Sequence, residues 1–172
     1  MSLEADMVED VDKRDDAEII MQMFSDFPVS MGRIAILGCG TGQFFRGMSD
    51  IGEIFGYSDL ILHDADKSLL SAVHGACLDA GYPYLGYVDG NVGEADFGFC
   101  DGILMVFEQK EIESALKIGA KNLYLIIHDQ SAEVTDELSD FLMERGYSCQ
   151  KVYEKKSAND KKIVVGMVAE RG

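Results

Sequence analysis

The chain has 172 residues, 47% of them hydrophobic and 27% charged, enough for one folded domain with a sizeable core and too little charge for a disordered chain. Acids outnumber bases 31 to 15, for a formal charge of -16. Nucleic-acid binders draw most of their affinity from Lys and Arg on phosphates, so this balance argues against a polyanionic partner.

The acidic N-terminus lacks the basic-then-apolar pattern of a secretory signal, and no apolar run reaches the ~20 residues that span a bilayer. A cytoplasmic protein with no membrane partner is expected. Cys39, Cys77, Cys100 and Cys149 are widely spaced, without a C-x-x-C pair, so reduced thiols and no metal site are expected.

Residues 1–16 carry seven acids against Lys13 and Arg14, the pattern of a solvated leader. Then Ile19, Ile20, Met23, Phe24 and Phe27 recur at helical spacing, and Pro28 ends that pattern. This divides the chain into an acidic tail with a short helix, 1–27, and a single domain, 28–172. The helix is a candidate cover for an acceptor site.

From Arg33 onward, near-continuous apolar runs alternate with helical patterns. Strands are expected at 33–37, 59–63, 84–88, 101–107 and 122–127, each apolar on both faces as in a parallel sheet. Helices are expected at about 43–55, 66–81, 108–120 and 131–146, with Asp66 and Ser131 as N-caps and Gly119 and Gly146 at the ends. Two last runs, 148–154 and 162–169, have no room for a crossover helix between them and read as an antiparallel hairpin. The fold class is α/β: a doubly wound, seven-stranded, mostly parallel sheet with a reversed last strand and helices on both faces.

The first strand runs into "ILGCGTGQ", with Gly38, Gly40 and Gly42 in a turn before a helix. Backbone N–H groups and a helix dipole there suit an anionic or polar ligand, although Gln43 breaks the dinucleotide pattern G-x-G-x-x-G. The second strand ends in "HDADKSLL". Asp66 is placed to cap, which leaves Asp64 to take two hydrogen bonds from a ribose diol. The third ends in "YVDGN", adding Asp89 and Asn91 to the same edge.

With these residues the chain resembles the class I S-adenosylmethionine-dependent methyltransferases. The likeness runs from Arg33 to the C-terminus through "ILGCGTGQ", "HDADKSLL", "YVDGN", "FCDGILMVFE", "ALKIGAKNLYLII" and "RGYSCQKV". It implies S-adenosylmethionine as cofactor, with Gly38, Cys39, Gly40, Thr41 and Gly42 around its methionine part. It further implies Asp64 and Ala65 at the ribose, Asp89 and Gly90 at the adenine, and Phe107 with Glu108 bordering the methyl and its acceptor. The spacing from Gly38 to Asp64 is longer than the family's usual one, which points to an extra turn in "DIGEIFGYSD" and leaves Asp66 as the other choice of acid.

Methyl transfer from a sulfonium needs positioning above all, and a base only where the acceptor must lose a proton. Glu108 is the first choice as catalytic base, ahead of His128 and Asp129; His63 and His74 read as packing or surface residues. The acceptor is a small molecule or a protein, and the oligomeric state is open. A lysine cluster at the hairpin, Lys151, Lys155, Lys156, Lys161 and Lys162, is the feature that favours nucleic acid against the overall charge. Two other readings stand beside the transferase: a non-catalytic cofactor-binding or scaffold module, and an NAD-dependent oxidoreductase.

Overall fold

The computed structural model describes residues 16–38, 50–64, 85–89, 97–128, 132–156 and 163–172, with backbone alone for 85–89 and 132–134. A first helix, α1, occupies 16–26 and stops short of Pro28. Strands β1 (Arg33–Leu37), β2 (Asp59–Asp64), β3 (Leu85–Asp89), β4 (Gly102–Val106), β5 (Asn122–His128), β6 (Tyr147–Lys156) and β7 (Ile163–Arg171) form one sheet. Its order is β3-β2-β1-β4-β5-β7-β6. Neighbours from β3 to β5 run parallel, and β7 lies antiparallel to both β5 and β6. This is the mostly parallel α/β sheet with a reversed last strand that the alternation of apolar runs predicts.

Residues 43–49 of the expected helix at 43–55 lie outside the described residues, and the helix expected at 108–120 is shorter than its sequence pattern suggests. Helix α2 covers Ile51–Ile54, where Asp50 Oδ1 accepts from the Glu53 N–H at 3.1 Å. The tight turn after it, with Gly56 and Tyr57 both at positive φ, is the extra turn before β2. Helix α3 covers only Ile112–Leu116, because the Glu108 carbonyl first closes a turn with the N–H groups of Glu111 and Ile112. Helix α4, Ala132–Glu144, runs to Gly146 at φ +88°, as a left-handed C-terminal glycine should. The expected helix 66–81 and the caps Asp66 and Ser131 lie outside the described residues.

Side-chain alternation divides the core into two layers. Ile34, Ile36, Leu60, Leu62, Leu104 and Ile126 face α1 and α2, and share a cluster with Ile19, Met23, Phe24 and Phe55. Ala35, Leu37, Ile103, Met105, Leu125 and Ile127 face α3 and α4, with Ile112, Ala115, Leu138 and Leu142. Helix α1 is therefore an integral part of the core. Among the described residues, no helix is long and apolar enough to cross a membrane.

Candidate functional site

Strand order reverses between β1 and β4, since β1 pairs with β2 on one side and with β4 on the other. In an open α/β sheet the crevice for a ligand opens at that switch point, beyond the carboxyl ends of the strands. Register defines what stands there. Leu37 is level with His63 and with Met105, so Gly38, Asp64 and Val106 form the next row, and Asp89 continues it as the partner of Asp64. Neighbouring strands lie about 5 Å apart, so this row is continuous in space.

Alternation adds that Asp64, Gly38 and Val106 have the parity of the α1 and α2 face. Asp64 is half-buried at its strand end. Gly38 adopts φ +65°, a left-handed conformation that bulky residues avoid, and no described atom lies within 4 Å of where its Cβ would be. Backbone conformation thus favours glycine here, beside the close approach of a ligand that the sequence suggests. Val106, 37% exposed, presents an apolar side chain to the same crevice.

The structure does not bring Phe107 into this row. Its N–H donates to the Ile126 carbonyl at 2.7 Å, and its ring packs on the α3 and α4 cluster, across the sheet. Glu108 is exposed at the same edge, at the turn into α3. Cys39, Gly40, Thr41, Gly42, Ala65, Gly90, Asn91 and Asp129 lie outside the described residues, and for Asp89 only the backbone is placed. His63 is buried on the opposite face with its ring tilted against Phe97, at 5.7 Å between centroids, which is a packing role. His74 lies outside the described residues.

A pair that the sequence does not announce stands at the end of β5. His128 Nε2 lies 2.8 Å from Oδ1 of Asp16, the first described residue of α1. The Asp16 side chain is 4% exposed and that of His128 34%. Helix α1 is fixed along its length by further polar contacts. Glu18 pairs with Lys155, and Asp26 Oδ2 accepts from Lys151 Nζ at 2.8 Å and from the Tyr153 hydroxyl at 2.6 Å. The Lys151 ammonium, and after it the Tyr153 hydroxyl, hold the Asp26 carboxyl below its usual range. Burial, and after it the bond to Asp26, pushes the Tyr153 phenol up. Two lysines of the hairpin cluster are thus matched by acids of α1.

The signal that could have placed α1 is Gly166, in the middle of the apolar run of β7. A Cβ there would collide with Ile19 Cγ2 and come within 3.2 Å of Met23 Sδ. Among the described residues, no group of three or more His, Cys, Asp or Glu is placed to hold a metal ion.

No family model matches the sequence, and no curated protein matches it. Solved structures do. The magnesium protoporphyrin IX methyltransferase ChlM of Synechocystis PCC 6803, with bound SAH, superposes with a TM-score of 0.75 at 10% identity, covering 100% of this chain and 89% of its own. A SAM-dependent methyltransferase of Aquifex aeolicus superposes with a TM-score of 0.62 at 16% identity, covering 88% of this chain and 89% of its own. The chain has the class I methyltransferase fold. The precorrin-6y C5,15-methyltransferase of Geobacter metallireducens GS-15 shares that methyltransferase fold, with a TM-score of 0.64 at 12% identity over 91% of this chain and 87% of its own.

The residues present fit the cofactor that the sequence resemblance implies for a methyltransferase fold. A glycine in left-handed turn conformation ends β1, a half-buried carboxylate ends β2, and an exposed apolar side chain ends β4. In chemical type these suit, respectively, a close backbone approach, hydrogen bonds from a diol, and contact with an apolar group.

Proposed function

We propose that the protein transfers a methyl group from S-adenosylmethionine to a small-molecule or protein acceptor. The observation that carries this reading is the single row of Asp64, Gly38 and Val106 on one face at the switch point of a methyltransferase-like sheet. When bound, the cofactor supplies a methyl already activated on a sulfonium. The chain's own work is to bind, orient and exclude water. Gly38 to Gly42, with Cys39 and Thr41, hold the methionine part; Asp64 and Ala65 take the ribose diol; Asp89 and Gly90 meet the adenine. Phe107 supports the end of β4 from behind, while Val106 and Glu108 border the acceptor.

A cytoplasmic enzyme with a non-nucleic-acid acceptor suits the charge of -16 and the pairing of Lys151 and Lys155 with Asp26 and Glu18. The test is calorimetric titration of the full chain with S-adenosylhomocysteine, with NADH in parallel. Micromolar binding of the former, about 8 kcal/mol, is expected. Asp64→Ala removes charge-assisted hydrogen bonds of about 1.5–3 kcal/mol and should weaken binding roughly 10- to 100-fold. Binding of NADH alone would return the oxidoreductase reading, and binding of neither would leave a scaffold module.

A further inference from the structure

His128 shares the parity of Val106 and stands two residues beyond Ile126, the register partner of Val106. It therefore overhangs the crevice from one strand away, about 7 Å above the level of the Val106 position. Its Nε2 is committed to a carboxylate that is almost wholly buried. A neutral imidazole that donates from Nε2 presents Nδ1 with a free lone pair. Among the described residues, Asp16 is the acid that meets the ring. Glu18, in the same turn of α1, is engaged by Lys155, and the register partner of His128 on β7 is the apolar Val164.

Building on the methyl-transfer reading, we infer that His128 is the proton acceptor of the reaction and Asp16 its positioning residue. The role assigned first to Glu108 from sequence passes to a group that has an orienting partner. The acceptor is then a nucleophile that must shed a proton, a hydroxyl or a nitrogen bearing hydrogen. As the nucleophile's lone pair bonds the methyl carbon, the carbon–sulfur pair stays on sulfur and the nucleophile's proton passes to Nδ1. The imidazolium so formed lies against the Asp16 carboxylate and returns its proton to solvent.

The test is carbethoxylation of the full chain by diethyl pyrocarbonate, followed by peptide mass at His128, with proton NMR of its Nε2–H. The wild type should be labelled at Nδ1, with a slowly exchanging Nε2–H signal. Asp16→Ala should lose that signal and label several-fold more slowly, and Asp16→Glu should restore both. A purely structural pair predicts the reverse, since freeing the ring from Asp16 speeds labelling. An unreactive His128 in the wild type, or labelling as fast or faster in Asp16→Ala, overturns the proposal. Circular dichroism of each variant identifies one that fails to fold, in which case His128→Gln and the wild-type signal decide. S-adenosylhomocysteine titration of the same samples separates the two readings: labelling as expected without that binding breaks the methyl-transfer reading and leaves the pair intact.

Discussion

On one face of the sheet, α1 lies over β5, β7 and β6 through aromatic rings and ion pairs; on the other, α3 and α4 press aliphatic side chains onto β4 and β5. Phe24 stacks on Tyr124 at 3.9 Å between centroids and meets Phe55 edge-on at 4.9 Å, while Tyr124 donates to the Phe27 carbonyl at 2.5 Å. Across the sheet, Ile112, Ala115, Leu138 and Leu142 supply aliphatic contacts at the centre, with Phe107, Phe141 and Tyr147 around them. The difference follows from chain order. Helices α3 and α4 each follow a strand that they cover, β4 and β5 respectively, so short connections place them. Helix α1 comes before the alternation begins, and specific contacts have to place it.

If that is right, the largest effect comes from Phe24→Ala. It removes the centre of the aromatic stack and should cost about 3–5 kcal/mol in urea denaturation. Leu142→Ala on the other face should cost about 2–5 kcal/mol, yet leave α1 docked and its bonds to sensitive probes such as His128 labelling unchanged. A cost for Phe24→Ala well below that of Leu142→Ala would mean that α1 rests on the sheet without holding it.

Next comes Gly166→Val, which tests the crossing point of α1 and β7. The added atoms would meet Ile19 and Met23, and overpacking of that kind costs about 1–3 kcal/mol. The pairing of Ile19→Ala with Gly166→Val should recover part of the loss, which a double-mutant cycle reads directly. Smaller again is Tyr124→Phe, at about 1 kcal/mol, because it leaves the Phe27 carbonyl without its donor while keeping the stack. Burial, and after it the charge of Glu170, keeps that phenol well above the usual range, so it stays a donor throughout the accessible pH range.

The same contrast explains what could be read from the sequence. Each strand from β1 to β5 was legible as a near-continuous apolar run, which in β1, β4 and β5 reflects burial on both faces, and the row at the switch point follows once those runs are ordered. The places of Asp64 and Gly38 in that row were legible in this way. Asp16 was not, because a periodic helix shows which of its faces is buried without showing against what, and its partner His128 is 112 residues away. Which of Val106 and Phe107 faces the crevice was not legible, since side-chain parity at the end of β4 is fixed only once the strand is aligned with its neighbours. The strand glycine of "VVGMV" was the one local sign of where a helix crosses, and it says only that something approaches.

The smallest and most specific test concerns Asp26, the clamp at the far end of α1 from His128. Its folded-state pKa lies below the ordinary value of 3.8, chiefly through the hydrogen bond from Lys151 and then that from Tyr153. A depressed carboxyl stabilises the fold wherever the unfolded chain would also be ionised, and that contribution is lost as pH falls through the folded-state value. The difference in urea midpoint between wild type and Asp26→Asn should therefore be constant from about pH 8 down to 5, then shrink through the acid range. High salt should narrow it at neutral pH, because Lys151 and Asp26 are both substantially exposed. If the difference is flat with pH and salt, the Asp26 ion pair adds nothing and this end of α1 is held by apolar contacts such as those of Phe24 and Met23. The acids of α1 would then matter at its other end, where Asp16 is buried against His128, and the contrast between the two ends of one helix would separate a surface clamp from a buried pair.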